Sequence, residues 1–287
     1  MKNIKAKIIS NERVVGRYYR LRIASPYLGG KTKPGQFFEV KCSEVSGEIF
    51  LRRPLGAHKI FKSGVEILYE NVGKGTEALS KRKAGESLDV IGPLGNGFDI
   101  EHKRTRTQAR KILVAGGIGV APLVALAEEI ARKGGEADVL IGARTGSHIL
   151  CEKELKKLGC EVKVATDDGS KGHKGLITEL LMMLLNRQTG KPANRQTIIY
   201  ACGPVLMLKA VAGLAATHSI PCQVSLEERM ACGVGVCLGC PVKVYHFTNL
   251  PVSRLEPAIR QTGKPANFIY KMVCKDGPVF DAKDIIW

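Results

Sequence analysis

The chain has 287 residues, which at roughly 150 residues per domain leaves room for two domains and a small third. Hydrophobic residues at 44% and charged residues at 25% exclude a disordered or fibrous chain, and the longest unbroken aliphatic run, Leu180 to Leu185, falls far short of a membrane helix. A net charge of +17 predicts anionic partners, but aromatic residues make up only 6% and are dispersed, which argues against nucleic acid.

The start MKNIKAKIIS lacks the apolar block of a secretory leader, so a cytoplasmic protein with no membrane anchor is expected. Up to about Gly92 the chain reads as short β-like runs between turns: KAKIIS, VVGRYYRLRI, QFFEVKC, EIFLRR, VEILYENV and ESLDVIG. These predict an antiparallel β-barrel over residues 1–103, with TEALSK as its one helix. The basic run EHKRTRTQARK reads as a linker or exposed loop. From Lys111 strands and helices alternate: KILVA, a helix from Pro122 to Arg132, ADVLIG, CEKELKKL, EVKVAT, LITELLMMLL, TIIYA, LMLKAVAGLA and QVSLE. That rhythm predicts a Rossmann-like α/β domain with a mostly parallel sheet over 111–226, QVSLE being its last strand. The remaining segment, 227–287, is rich in cysteine and glycine, has too little periodic apolar content for its own core, and is expected to fold around a metal. The segment RQTGKPAN occurs twice, at Arg187–Asn194 and Arg260–Asn267, and reads as a duplicated insertion in two surface loops.

Nine cysteines in a reducing compartment point to metal binding or catalysis rather than disulfides. Four of them, Cys232, Cys237, Cys240 and Cys274, have the C-x4-C-x2-C plus distant C spacing of a plant-type 2Fe-2S site. Gly233, Gly235 and Gly239 would let the loop curl with its amides toward the sulfurs. Zinc is the competing reading, although structural zinc sites usually use two short-spaced pairs. AGGIGVAPL follows a strand and opens a helix, so Gly117 and Gly119 could receive a pyrophosphate, but Pro122 breaks the full dinucleotide fingerprint. TDDGS at 166–170 and the turn Cys202–Gly203–Pro204 end later strands of the same sheet and could line one crevice with it. Cys202 also reads as a small buried residue, and Arg144 leaves NAD or NADP open. In the first domain LRRPLG (51–56) and VGKGTEAL (72–79) are plausible phosphate sites, each also readable as an ordinary strand end or turn. GPLGNGF (92–98) is a glycine-rich loop without an assigned role.

In this order the motifs LRRP, VGKGT, GPLGNGF, AGGIGVAPL, ATDDGS, ACGP, SLEERMACGVGVCLGC and VCKDGPVF resemble one family. It is the flavin and iron-sulfur electron-transfer subunit of class 1B, NAD-dependent dihydroorotate dehydrogenase, within the ferredoxin-reductase-like flavoproteins. The resemblance implies FAD, a 2Fe-2S cluster and NAD as cofactors. It gives Arg53, Pro54, Leu55 and Gly56 to the flavin, Leu68, Tyr69 and Glu70 to its flank, and Gly75 and Thr76 to its pyrophosphate. Gly117, Gly119, Cys202, Gly203 and Pro204 would serve NAD, and the four cysteines the cluster. Gly56 stands where the family has serine, and the gap before Cys274 is longer than usual. The implied route runs from dihydroorotate through FMN on a partner catalytic subunit, then cluster, FAD and NAD, in pyrimidine biosynthesis, in a heterotetramer of two copies of each chain. The rival reading keeps the cofactors but changes the partner, as in ferredoxin:NADP reductase or hydrogenase diaphorase subunits.

Overall fold

The computed structural model describes residues 1–43, 49–100, 109–186, 197–245 and 268–287. Both RQTGKPAN copies and most of the basic run 101–111 lie outside the described residues. Seven strands form the first sheet: β1 (Lys2–Val15), β2 (Tyr18–Ala24), β3 (Phe37–Val40), β4 (Arg53–Gly56), β5 (Lys59–Phe61), β6 (Gly64–Glu70) and β7 (Ser87–Leu94). Their spatial order is β4-β3-β7-β1-β2-β6-β5, every pairing is antiparallel, and the sheet curls into an open half-barrel. The expected strand VVGRYYRLRI is cut in two because Gly16, at φ +52°, makes the turn between β1 and β2. Inward side chains such as Ile8, Leu21, Ile23, Phe38, Ile67 and Val90 fill its core.

In the half-barrel the strand expected over EIFLRR begins only at its last residue, Arg53, and two elements escape sequence reading. One is β5; the other is the helix α1 (Pro26–Lys31), capped by Ser25, whose Oγ accepts from the Leu28 amide at 3.3 Å. Gly29 disguises α1 as a turn, yet it stands there for space, since a Cβ would lie 2.0 Å from the Phe61 carbonyl. The first five residues of TEALSK lie in the helix α2 (Lys74–Ser80), and Lys81 caps it.

The second sheet contains β8 (Arg110–Gly116), β9 (Ala137–Ala143), β10 (Glu161–Thr166), β11 (His173–Lys174), β12 (Thr197–Cys202), β13 (Cys222–Ser225) and β16 (Val279–Asp281) in the order β11-β10-β9-β8-β12-β13-β16. Strands β8 to β13 are parallel, as alternation with helices requires. Helices α3 (Val120–Arg132) and α4 (Glu152–Lys157) cover one face through Leu123, Val124 and Leu155. Helices α5 (Ile177–Asn186) and α6 (Val205–Thr217) cover the other through Leu181, Leu185, Leu208 and Val211. QVSLE is not the last strand of this sheet: β16, from the cysteine-rich tail, pairs antiparallel with β13. A three-residue strand with no pattern of its own acquires its structure from that neighbour.

The tail also forms a two-stranded sheet of β14 (Pro241–Tyr245) and β15 (Phe268–Met272), and β15 runs into the one-turn helix α7 (Val273–Asp276). Among the described residues no helix is long and apolar enough to cross a membrane.

Candidate functional site

The cysteine quartet is assembled from two places. Cys232, Cys237 and Cys240 lie in the loop that leads into β14, and α7 carries Cys274 back beside them. The amides of Val234 and Cys237 both donate to Cys232 Sγ at 3.4 Å, the Gly235 amide donates to Cys274 Sγ at 3.1 Å, and the Cys274 amide donates to Cys240 Sγ at 3.4 Å. Two of these bonds join cysteine to cysteine, the Cys237 amide to Cys232 and the Cys274 amide to Cys240, so the four fall into two pairs. Two irons, each requiring two thiolates, fit that division and the amide-lined pocket. Burial alone would raise the Cys232 thiol, but the amides of Cys237 and Val234 outweigh it and bring it down to about 6. Burial, reinforced by Cys240, pushes the Cys274 thiol up to about 12, so that thiol ionises only beside a cation. The loop needs its glycines: Gly233 and Gly235 have φ +69° and +82°.

This loop sits on the half-barrel. A Cβ at Gly233 would stand 2.5 Å from Cγ of Glu39 in β3, and β3 pairs with β4, the strand that carries Arg53, Pro54, Leu55 and Gly56. Glu39 is fully buried and neither carboxylate oxygen has a hydrogen-bond partner. Burial raises its carboxyl to about 7; Arg52 opposes the rise and Cys232 adds to it. Sequence reading missed Glu39 because a glutamate in a short strand ordinarily marks a solvated face.

Arg53 lies against the start of α2, where a Cβ at Gly75 would come within 2.5 Å of its Nε. Thr76 Oγ1 accepts from the amides of Val72 at 2.9 Å and Gly73 at 3.2 Å. A cation, a glycine and a capped helix start thus meet at one place suited to a pyrophosphate. Leu68 and Tyr69 are buried and Glu70 half-buried at the end of β6, but the alternation of a strand puts them on opposite faces. The Tyr69 ring is in the barrel core, stacked on Tyr19 with centroids 5.6 Å apart and its hydroxyl donating to Asn11 Oδ1 at 3.1 Å. At this position the backbone, not the ring, faces the side away from the barrel core. Leu68 packs toward the α/β domain instead.

At the carboxyl ends of the second sheet the chain order reverses between β8 and β12, which makes a crevice where open α/β sheets take their ligands. Gly117, at φ +54°, faces open space there, whereas a Cβ at Gly119 would be 2.3 Å from the Cys202 carbonyl. A Cβ at Gly203 would meet the Gly116 amide at 2.9 Å, so the two loops pack backbone to backbone. Pro204 begins the approach to α6. The Cys202 side chain is buried, and burial pushes its thiol well above the ordinary range, with the charge of Glu227 adding and a hydrogen bond with Ser225 opposing. The TDDGS loop is held by its own contacts, Asp168 Oδ1 accepting from the Ser170 amide at 3.0 Å and hydroxyl at 2.6 Å, two strands away from that crevice. Tyr18, in an edge-to-face contact with His148 and next to the charge of Glu70, joins the two domains beside it, a feature with no signal in the sequence.

The GPLGNGF loop braces the tail. A Cβ at Gly95 would be 2.5 Å from the Gly277 carbonyl, Asn96 donates from its amide to that carbonyl, and its Nδ2 donates to the Asp276 carbonyl at 2.9 Å. The barrel therefore grips the chain just after Cys274.

An oxidoreductase NAD-binding domain family matches residues 113–213, and the iron-sulfur cluster binding domain of dihydroorotate dehydrogenase B matches 227–250. A dihydroorotate dehydrogenase B (NAD(+)) electron transfer subunit of Desulforamulus reducens is 36% identical over 98% of this chain and 97% of its own length. The chain belongs to the family of dihydroorotate dehydrogenase B electron transfer subunits. A Geobacillus kaustophilus member of this electron transfer subunit family is 37% identical over 97% of the chain and 96% of its own length. The structure of an NADH-dependent reduced ferredoxin-NADP oxidoreductase aligns with a TM-score of 0.76 and 28% identity over 98% of this chain and 90% of that one. Ferredoxin NADP+ reductase from Neisseria gonorrhoeae with bound FAD and NADP shares the fold alone, with a TM-score of 0.62 and 18% identity over 76% of this chain and 92% of that one. This electron transfer subunit is thus an NAD-linked flavin and iron-sulfur oxidoreductase component with a ferredoxin-reductase-like fold.

Proposed function

We propose that this chain, in the cytoplasm, relays electrons from the FMN of a dihydroorotate dehydrogenase catalytic subunit to NAD+, as part of a heterotetramer with two copies of each chain. The observation that carries this reading is the pair of thiol pairs seated against β3, one strand from Arg53. Cluster, flavin and nicotinamide supply single-electron transfer, exchange between one and two electrons, and a hydride acceptor, respectively. Cys232, Cys237, Cys240 and Cys274 hold the 2Fe-2S group. Arg53, Gly75 and Thr76 hold the FAD pyrophosphate, with Pro54, Leu55, Gly56, Leu68 and Glu70 about the rest of the flavin. Gly117, Gly119, Gly203 and Pro204 admit NAD at the sheet's reversal point, while Cys202 packs that loop.

The partner docks on the cluster loop. Cys237 is exposed there, and beside it Val236 and Leu238 are 78% and 66% exposed, apolar side chains that a partner would cover. The test is anaerobic co-purification with the catalytic subunit, followed by iron, sulfide and flavin analysis and NAD reduction driven by dihydroorotate. Cys237→Ser should abolish the cluster's optical and EPR signals and leave FAD bound; persistence of those signals overturns the ligand assignment. The likeness to the NADH-dependent reduced ferredoxin-NADP oxidoreductase supports a second reading, a reductase component of another complex. Reduction of NAD by reduced ferredoxin but not by dihydroorotate would favour it.

A further inference from the structure

Away from the flavin and cluster, a second group of potential ligands joins the half-barrel to the α/β domain. His58, between β4 and β5, is completely buried, and its Nδ1 lies 3.0 Å from the Ala121 carbonyl of α3. A carbonyl can only accept, so Nδ1 donates to it and Nε2 is the atom turned toward the carboxylates. That atom has no hydrogen-bond partner and lies 3.5 Å from Glu154 Oε2 and 3.8 Å from Glu66 Oε1. Those oxygens are ion-paired, Glu154 with Lys59 at 2.7 Å and Glu66 with Arg20 at 3.3 Å, and His58, Lys59 and Arg20 hold the Glu154 carboxyl well below the usual carboxylate range. His58 Nε2 and two buried carboxylate oxygens therefore face one another. Cys151, which opens α4, completes the set: the ligand atoms of His58, Cys151 and Glu154 all lie within 4.8 Å of one another.

We infer that this cluster is a zinc site, with His58 Nε2, Cys151 Sγ and a Glu154 oxygen as ligands and Glu66 beside them. One nitrogen, one sulfur and carboxylate oxygen form a borderline-soft donor set, which suits zinc and disfavours magnesium or calcium. The hydrogen bond from Nδ1 to Ala121 is the outer-shell contact that fixes the ring of a metal-bound histidine. A divalent cation bound here would displace the thiol proton of Cys151. Burial pushes that thiol up to about 12, so it stays protonated and inert until a metal arrives. Lys59 is partly exposed and can swing aside to share Glu154. His58 and Glu66 belong to the half-barrel and Cys151 and Glu154 to the α/β domain, so bound zinc would staple the two domains whose relative placement sets the flavin and nicotinamide sites.

The test uses the holoenzyme with its cluster intact. It is equilibrated anaerobically with zinc, desalted over a chelating resin, and assayed for zinc per chain and by zinc-edge X-ray absorption. One retained zinc per chain is expected, with a mixed nitrogen and oxygen shell and a single sulfur. Cys151→Ser and His58→Gln should each lower retained zinc at least tenfold, with FAD content and the cluster's EPR intensity unchanged. The inference is overturned by an absence of retained zinc, by a sulfur-only shell marking zinc in the cysteine quartet, or by full zinc retention in either variant.

Discussion

Glu39 and Gly233 show how tightly the cluster loop is fitted to the half-barrel. Gly233 combines a left-handed backbone with a Cβ position only 2.5 Å from Glu39 Cγ, so any side chain meets both strain and collision. Gly233→Ala should cost about 1–2 kcal/mol in backbone strain alone and lower cluster occupancy to less than half, as read by iron and sulfide analysis, with FAD content unchanged. Glu39 poses a different problem, since its carboxyl titrates at about 7 in the folded protein against an ordinary 4.5. The folded state therefore keeps a proton that the unfolded chain has released, and stability falls as pH rises from near 4.5 through about 7. At about 1.4 kcal/mol per unit, the penalty above pH 7 is roughly 3 kcal/mol. Oxidised 2Fe-2S with four thiolates bears a net negative charge, which acts in the same direction. Glu39→Gln should thus leave melting temperature near wild type at about pH 5 and raise it by several degrees at about pH 8. A difference independent of pH would show that the carboxyl does not titrate there.

At the start of α2 a local cap holds the turn proposed to receive the flavin pyrophosphate. Thr76 Oγ1 takes the amides of Val72 and Gly73, holding the turn that presents Gly75 to Arg53. Thr76→Val keeps the volume but leaves those amides without their acceptor, at a cost of about 1 kcal/mol. The turn should loosen and FAD affinity fall about tenfold, measured by flavin release on dilution; unchanged affinity would remove Thr76 from the pyrophosphate site. This element was legible because VGKGTEAL carries its own turn and cap chemistry, as AGGIGVAPL and the cysteine spacing do. The parallel strands were equally legible, since apolar runs at βαβ spacing admit few arrangements. What escaped depends on distant partners. All four residues of β3 are buried, so the alternation that would have assigned Glu39 a face is absent. Helix α1 is masked by Gly29, whose reason is the Phe61 carbonyl 32 positions away. The side of β6 that Tyr69 faces depends on register, which places it opposite Leu68 and Glu70. GPLGNGF owes its role to Gly277, and β16 to β13.

The three sheets are joined so that the cluster loop has one side on the half-barrel and the other exposed. Inward, it rests on Glu39, while the GPLGNGF loop and β16 tie its far end to both larger sheets. That bracing keeps the cysteine pairs at a fixed place relative to Arg53, whatever approaches from outside. Outward, Val236 and Leu238 flank the exposed Cys237, so a docked partner would shield the sulfur nearest to solvent and shorten the path for an incoming electron. Fully burying a Val or Leu side chain is worth about 1.5–3 kcal/mol, and about 2 kcal/mol is roughly thirtyfold in affinity. Leu238 lies at φ +55°, a conformation that aspartate tolerates better than leucine, so Leu238→Asp perturbs the surface without opposing the backbone. Leu238→Asp should retain wild-type FAD content and cluster EPR signal yet lower co-purification with the catalytic subunit, and NAD reduction driven by dihydroorotate, at least tenfold. Raising the concentration of the catalytic subunit should recover much of that activity, because the defect lies in association. Loss of the cluster signal in the variant would instead assign Leu238 to the loop's own fold, and undiminished association would move the docking face elsewhere on the molecule.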